Sequence, residues 1–270
     1  MLDALTVDIA PVRDAVEVLV MDATPDGDAV PDGRYPGVRV ERLGRADVFL
    51  CRAAGVRLST GAAIAIVEDH APPWSGWAKA TLAAHEAHPE AALIVGSMVN
   101  GTAETVLDRA AYAMTLGPFD EPVMPVIRER MPVPANVSYK RWHLPAAPDP
   151  GWLEYSAPMA AFEQGSIELA PESVCEHRQH FEGIKAITIQ FVSGRSYGGS
   201  LRGISRADKL RHVATRARFA HMAYRTSKRG LGPSPGIADR AALGVMVACN
   251  VAGQLVGLVA GSGRAREALR

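Results

Sequence analysis

The chain has 270 residues, of which 48% are hydrophobic and 21% are charged. This composition can form the core of one large domain or two small ones, and it excludes a largely disordered chain. Basic and acidic residues both number 29, so the formal net charge of zero gives no overall attraction to nucleic acid. The sequence therefore predicts a globular protein without a nucleic-acid partner.

Cysteine usage and the amino-terminal segment indicate the compartment. The three cysteines, Cys51, Cys175 and Cys249, are widely spaced and odd in number, which favours free thiols in a reducing environment. Residues 1–15 contain acidic side chains and lack an uninterrupted apolar segment, so they do not have the pattern of a signal peptide. We expect a cytoplasmic protein.

Apolar segments alternate with helical patterns through about the first 200 residues, which is typical of an α/β fold with a mainly parallel sheet flanked by helices. The predicted strands cover 16–21, 62–67 and 91–95, the predicted helices cover 77–88 and 103–116, and a proline-punctuated loop covers 118–134. We expect this α/β domain to comprise residues 1–205.

Two of the predicted strands end in acidic residues. Asp22 follows the first strand, and Glu68-Asp69-His70 follows the second. Ligands of open α/β sheets collect outside the carboxyl ends of strands, so acids at these positions are better site candidates than acids on helix faces. Adjacent carboxylates also suit a hard divalent cation. For Asp22 alone, a simple turn is the competing interpretation.

The carboxy-terminal part, residues 206–270, is predicted to form a separate helical region. Residues 209–229 contain seven lysines and arginines with apolar residues near helical spacing, which predicts a basic amphipathic helix. Residues 241–261 carry no formal charge and are long enough to span a membrane. Their Ala/Gly-rich composition and two amides favour a packed or interface-lying helix. Both segments are candidates for membrane-surface contact, and a solvated helix followed by a core helix is the alternative.

Several short motifs follow one another in a fixed order. They are the turn Asp22-x-Thr24-x-Asp26-Gly27, the pair Arg52-x-x-Gly55, the strand end Glu68-Asp69-His70, the segment Pro72 to Trp77, the segment Ala135 to Arg141, Glu154, and a strand that ends at His177. In this order they resemble glycosyltransferase family 2, whose members share the GT-A fold.

The resemblance implies a nucleotide-sugar site with a divalent cation, Mn²⁺ or Mg²⁺. The implied residues are Asp22, Thr24, Asp26, Arg52, Glu68 and Asp69 for the nucleotide-sugar, Asp69, His70 and His177 for the metal, Asn136 and Trp152 for the acceptor side, and Glu154 for general-base catalysis. Trp77 is predicted to lie in the core. For Glu154, a solvated position at a helix start is the competing interpretation, and for His177 it is a structural hydrogen bond.

The implied reaction is the inverting transfer of a sugar from a nucleoside diphosphate donor to a hydroxyl acceptor. The acceptor would be a lipid-linked or cell-envelope glycan, at the inner face of the membrane, if the basic helix lies on that membrane. A carboxylate near the acceptor would deprotonate the attacking hydroxyl.

Two departures from the family pattern leave alternatives open. His70 occupies the position where relatives often carry a metal-binding aspartate, and the chain begins in the helix that follows the family's first strand, so that strand is expected to be missing. A catalytically inactive GT-A domain that serves as a binding or scaffold module is therefore the main alternative. A nucleotidyltransferase or dinucleotide-binding enzyme fits less well, because no phosphate-binding glycine motif follows a predicted strand.

Overall fold

The computed structural model of the chain describes residues 1–26, 30–31, 33–123, 125, 127, 135–180, 183–201, 205, 207, 224–225, 228–265 and 268. Their contacts define two units, each with its own packing. The sheet unit comprises 1–99 and 121–177, and the helical unit comprises 100–120 and 178–270.

The described strands all begin in the sheet unit, and both units contain helices. The strands are β1 (Val18–Asp22), β2 (Val38–Arg42), β3 (Ala63–Ile66), β4 (Leu93–Asn100), β5 (Val137–Lys140) and β6 (Ile167–His177). The helices are α1 (Leu2–Ile9), α2 (Val48–Leu58), α3 (Trp77–Ala87), α4 (Val106–Leu116), α5 (Ala157–Glu163), α6 (Lys185–Ser200) and α7 (Ile237–Ala260). Short helical turns cover Ala10–Ala15, Gly117–Phe119, Arg141–His143, Trp152–Ser156 and Lys228–Leu231.

The strands form two sheets, which confirms the predicted α/β class. β1 and β2 pair in parallel, and the second sheet has the order β3-β5-β4-β6. In that sheet β5 runs antiparallel to both β3 and β4. The predicted mainly parallel sheet is therefore wrong for these two pairings. An apolar run indicates that a strand is buried, but it has the same pattern in either strand direction.

The predicted elements lie close to the observed ones. The strand predicted over 62–67 is β3, and the one predicted over 91–95 extends as β4 to Asn100. The helices predicted over 77–88 and 103–116 are α3 and α4. Much of the predicted loop over 118–134 lies outside the described residues.

Asn136 joins three elements of the sheet unit in the core. Its backbone has a φ of +47°, and its side-chain amide donates to the carbonyl oxygens of Ser97 on β4 and Ser173 on β6, at 2.7 and 2.8 Å. The indole Nε1 of Trp77, at the start of α3, donates to the amide oxygen of Asn136 at 2.8 Å. Trp77 is 6% exposed, which confirms its predicted core position.

The helical unit is built from α4, α6 and α7. Ala110, Ala111 and Ala113 of α4 pack against Leu243, Met246 and Val247 of α7, together with Ala186 of α6. The units thus divide the chain before α6 and around α4, whereas the sequence places a boundary at 205/206. The contacts of α4 with α7 link residues more than 100 positions apart, and local composition does not indicate such contacts.

The two helices predicted over 209–229 and 241–261 both fall within the residue range of this unit. Residues 208–223 and 226–227 lie outside the described residues, so the basic helix predicted over 209–229 stays a prediction. In the uncharged segment 241–261, residues 241–260 are helical, as part of α7. Within the described residues, α7 is the one helix that is long and apolar enough to cross a membrane by length and composition, with a mean hydropathy of 1.9.

Glycines let the backbones of α6 and α7 touch. A Cβ on Gly198 of α6 would lie 2.0 Å from the carbonyl oxygen of Gln254 on α7. A Cβ on Gly253 of α7 would lie 2.1 Å from the carbonyl oxygen of Phe191 on α6. Each helix carries a Gly-x-x-x-Gly pair at this contact, at 194/198 and 253/257, an arrangement that permits close helix approach.

We expect Gly253→Ala to lower the free energy of unfolding of the helical unit by about 1–3 kcal/mol, because the added methyl group meets backbone that has no room to move. Gly244→Ala on the same helix is the matched control. A Cβ at Gly244 has no heavy atom within 4 Å, so this change should stabilise α7 by up to about 1 kcal/mol. Chemical denaturation of both variants measures the difference, and equal effects would contradict the close contact.

We expect His85, a buried residue of α3, to make stability pH-dependent. Burial, aided by the charge of Lys140, lowers the pKa of His85 to about 4. Since the pKa in the unfolded chain is about 6.5, the stabilisation from neutral His85 is complete above that pH and is lost as the pH falls toward 4. Between pH 7 and pH 5 the loss amounts to about 2 kcal/mol.

Urea unfolding at pH 7 and pH 5 tests this dependence. His85→Gln, which keeps a donor for Ser138, should remove about 2 kcal/mol of the difference between the two pH values. His88→Gln, just beyond the same helix, is the control and should retain the wild-type difference. An unchanged slope in His85→Gln would show that His85 does not carry the effect.

Candidate functional site

A strand-like pairing brings His70 beside His177. After β3, the amide of Ala71 donates to the carbonyl oxygen of Glu68 and closes a turn. The chain then runs antiparallel to β6, because Trp74 N donates to Val174 O and Glu176 N donates to Pro72 O, both at 2.9 Å. The end of β3 and the end of β6 are therefore fixed side by side, although they lie more than 100 residues apart in the sequence.

Glu68, His70 and His177 form a compact group at these strand ends. One donor atom from each residue lies within 4.8 Å of the donor atoms of the other two. His70 Nε2 is 3.2 Å from His177 Nε2 and 3.4 Å from Glu68 Oε2. His177 is buried, and the side chains of His70 and Glu68 are 30% and 23% exposed. The group is thus partly exposed to solvent through His70 and Glu68.

The two imidazoles have opposite electrostatic environments. Burial opposes the charge on His70, but hydrogen bonds to Asp69 and Glu68 outweigh it and raise the pKa of His70 to about 9. Burial, together with the charge of His70, lowers the pKa of His177 to about 4. A protonated His70 can therefore donate from Nε2 to the neutral nitrogen of His177. A metal ion that binds His70 through Nε2 therefore has to displace this proton, because both use the lone pair of that nitrogen.

Asp69 orients His70 and does not join the group. Its side chain is 96% exposed, and its Oδ1 lies 2.9 Å from His70 Nδ1. This contact directs Nε2 of His70 toward His177 and Glu68. A carboxylate that holds the second ring nitrogen of a metal-binding histidine is a common feature of metal sites. The structure thus groups Glu68, rather than the predicted Asp69, with His70 and His177.

Arg52 links Glu68 to Glu154. From α2, its Nη2 donates to Glu68 Oε1 at 2.7 Å and its Nη1 donates to Glu154 Oε1 at 3.0 Å. The three side chains are 11%, 23% and 6% exposed. Burial opposes the charge on Glu68, but the hydrogen bond with His70 and then the positive charge of Arg52 outweigh it and lower the pKa of Glu68. The candidate base therefore lies one guanidinium away from the candidate metal ligands.

The neighbourhood of Glu154 is held by the core. Glu154 lies in the single π-helical turn Trp152–Ser156, which starts after Gly151 at a φ of +89°. Leu153 in this turn is 1% exposed, and its carbonyl oxygen accepts a hydrogen bond from the Tyr139 hydroxyl of β5. π-Helical turns occur often at functional sites. The competing interpretation of Glu154 as a solvated residue at a helix start is wrong, since its side chain is buried.

The predicted nucleotide turn lies at the end of the other sheet. Asp22 is the last residue of β1 and is 3% exposed. Its Oδ1 accepts hydrogen bonds from the amide and the hydroxyl of Thr24, at 2.9 and 2.6 Å. Asp26 is exposed, and Gly27 lies outside the described residues. The turn is compact, and its contact with a nucleotide stays a prediction.

The two predicted acceptor residues have different positions: Trp152 shares the π-helical turn of Glu154, whereas Asn136 lies in the core. The amide of Asn136 is 7% exposed and bonded within the core, so a sugar would have to displace those bonds. The Trp152 ring packs near the His143 ring, with centroids 6.2 Å apart. His143 also lies 5.9 Å from the Trp142 ring, which is 60% exposed. Trp142 is thus the exposed aromatic side chain on this part of the surface.

One contribution to the site was missed at the level of sequence. It is Arg141, whose guanidinium donates to the carbonyl oxygens of Val56, Ser59 and Gly61 and so fixes the end of α2, the helix that carries Arg52. Arg141 stands directly after β5. Its position at a strand end was the only feature of the sequence that could have suggested this role.

The donor set of Glu68, His70 and His177 fits a divalent transition metal. Neutral imidazole and carboxylate are ligands of Mn²⁺, Fe²⁺ and Zn²⁺, whereas Mg²⁺ prefers oxygen alone. Ligand atoms around one such ion lie about 3–4 Å apart, close to the distances observed here. Comparison of the sequence with protein-family models and with curated proteins finds no match to the chain.

Proposed function

We propose that the protein is a glycosyltransferase that moves a sugar from a nucleoside diphosphate donor to a hydroxyl acceptor. One observation carries the proposal: Arg52 joins Glu154 to Glu68, and Glu68 belongs to the group with His70 and His177. A group that could hold a cation and a buried carboxylate thus lie next to each other. This is the juxtaposition that transfer from a diphosphate leaving group needs.

Glu68, His70 and His177 would hold the divalent cation, and Asp69 would position His70. The cation would neutralise the charge that develops on the diphosphate. Two imidazoles among the three ligands favour Mn²⁺ over Mg²⁺. Asp22, Thr24 and Asp26 stay proposed contacts to the nucleotide, at the end of β1.

The transfer step makes one bond and breaks one. The acceptor hydroxyl oxygen attacks the anomeric carbon, while the bond from that carbon to the donor's phosphate oxygen breaks and the nucleoside diphosphate leaves with the electron pair. The hydroxyl proton passes to Glu154, whose carboxylate Arg52 orients through Oε1. Direct displacement inverts the configuration at the anomeric carbon. Trp152 stays the proposed acceptor-side residue, and Asn136 has a structural position.

We expect calorimetry to detect Mn²⁺ binding to the purified chain. His177→Ala, which removes a ligand, should abolish measurable binding. Asp69→Asn, which releases His70, should weaken binding by about 10–100-fold. His88→Ala is the control, because His88 lies outside the group and should leave the affinity unchanged. Equal affinities of Asp69→Asn and the wild type, or no binding by the wild type, would contradict the proposed ligand arrangement.

We expect Glu154→Gln to lower transfer at least about 100-fold, because a carboxamide cannot accept the hydroxyl proton. Glu68→Ala should lower transfer as much by weakening the cation site. The measurement is sugar transfer or donor hydrolysis with UDP- and GDP-sugars in the presence of Mn²⁺. Glu163→Gln, on the exposed end of α5, is the matched control and should retain wild-type turnover.

Donor affinity separates the two roles. Glu154→Gln should still bind the donor, whereas Glu68→Ala should bind it weakly, since the base acts on the acceptor and the cation acts on the diphosphate. Turnover retained in both variants would overturn the assigned roles. Failure of the wild type to bind any nucleotide-sugar would favour the alternative of an inactive binding or scaffold module.

A further inference from the structure

The outward face of α7 is entirely apolar over five helical turns. After Arg240, the exposed residues of this helix are Ala241, Val245, Ala248, Ala252, Val256, Val259 and Ala260. The first six are spaced by three or four residues, which places them on one side of the helix. Val245, Val256 and Val259 are 49%, 39% and 82% exposed. At 1.5 Å per residue, this apolar face, residues 241–260, is about 29 Å long.

The polar groups of α7 point the other way. Gln254 is 4% exposed and donates to Asn250 Oδ1 at 2.7 Å. Asn250 in turn donates to the Gln190 carbonyl oxygen of α6 at 3.2 Å. Near the start of the helix, Asp239 forms an ion pair with Arg109 of α4, whose Nη2 and Nε lie 2.8 and 2.9 Å from Asp239 Oδ1. The polar side chains of α7 after Arg240 are therefore turned toward the neighbouring helices, and the exposed residues of this part of the helix are alanines and valines.

The charges that flank α7 are strongly positive. Residues 201–236 hold nine lysines and arginines against one aspartate, and residues 261–270 hold three arginines against one glutamate. Residues 1–200 hold 16 basic and 26 acidic residues, so the chain's neutrality conceals a basic carboxy-terminal part. Basic sequence segments before and after an uncharged apolar helix are complementary in charge to a membrane surface that contains anionic lipid.

We infer that α7 lies in the surface of an anionic phospholipid bilayer, with residues 241–260 facing the acyl-chain boundary. The helix does not span the bilayer in this arrangement. Its inner face packs on α4 and α6, and those helices carry Arg109 and Arg195 beside it. Spanning would take these charges into the hydrocarbon, whereas an interfacial position leaves them on the water side.

A lipid surface fits this face better than a second copy of the chain. The glycines that permit close helix packing, such as Gly253 and Gly257, face α6 and are already used within the helical unit. The outward face offers four alanines and three valines without a polar anchor. Stable dimers bury about 800 Å² on each partner, which is more than a single narrow helix face provides.

The test is flotation of the full-length chain with vesicles of phosphatidylcholine alone and of phosphatidylcholine with 30% phosphatidylglycerol. We expect binding to the anionic vesicles, weaker binding at high salt, and release by alkaline carbonate. The double variant Val245→Asp, Val256→Asp should lower the partition coefficient at least about tenfold. Both positions are exposed, so the variant is expected to fold, which circular dichroism checks.

The matched control is Val7→Asp on α1, a residue 75% exposed outside this face, and it should bind vesicles as the wild type does. Three results would overturn the inference. They are no flotation of the wild type with anionic vesicles, equal flotation of the double variant, and resistance to carbonate, which would show a spanning helix. A wild-type dimer that the double variant abolishes, without flotation, would assign the face to a second copy. The membrane test does not depend on sugar transfer, so it can fail or succeed separately from the proposed function.

Discussion

The guanidinium of Arg52 determines how the site of the sheet unit can be arranged. It is 11% exposed and lies between the carboxylates of Glu68 and Glu154, which come from a strand end and from a π-helical turn. Removal of one partner from a buried ion pair typically costs about 3–5 kcal/mol, because the remaining charge has lost its compensation. The position of α2, the end of β3 and the turn at 152–156 therefore depend on one another.

That constraint also gives the histidines their surroundings. Arg52 occupies Oε1 of Glu68, and His70 approaches Oε2 at 3.4 Å. The two oxygens of a single carboxylate thus serve the cationic arginine and the imidazole group. The pKa of His70 is raised to about 9 and that of His177 is lowered to about 4, so one ring is charged and the other is neutral at pH 7. This asymmetry lets two imidazoles lie 3.2 Å apart without repulsion.

Much of this site follows from local sequence rules, and some of it does not. An apolar run predicts β3 and its acidic end, but neighbouring residues at a strand end point in different directions. Glu68 is 23% exposed and Asp69 is 96% exposed, so the structure selects Glu68 where the sequence offered both acids. The contact between Arg52 and Glu154 joins residues 102 positions apart, and no local pattern reports it. The antiparallel direction of β5 is hidden for the same reason, since pairing partners are a property of the whole sheet.

The helical unit shows the complementary limit of sequence analysis. By charge, residues 241–260 of α7 form one uncharged segment in which Gly253 and Val256 are alike. The structure separates them, because a Cβ at Gly253 would meet the backbone of α6 whereas Val256 is exposed. Glycines on the inner face bring two backbones together beside large buried side chains such as Leu243. The alanines and valines of the outer face are left for another environment. What α7 contacts therefore depends on which apolar residues point inward and which point outward, and composition alone does not show this.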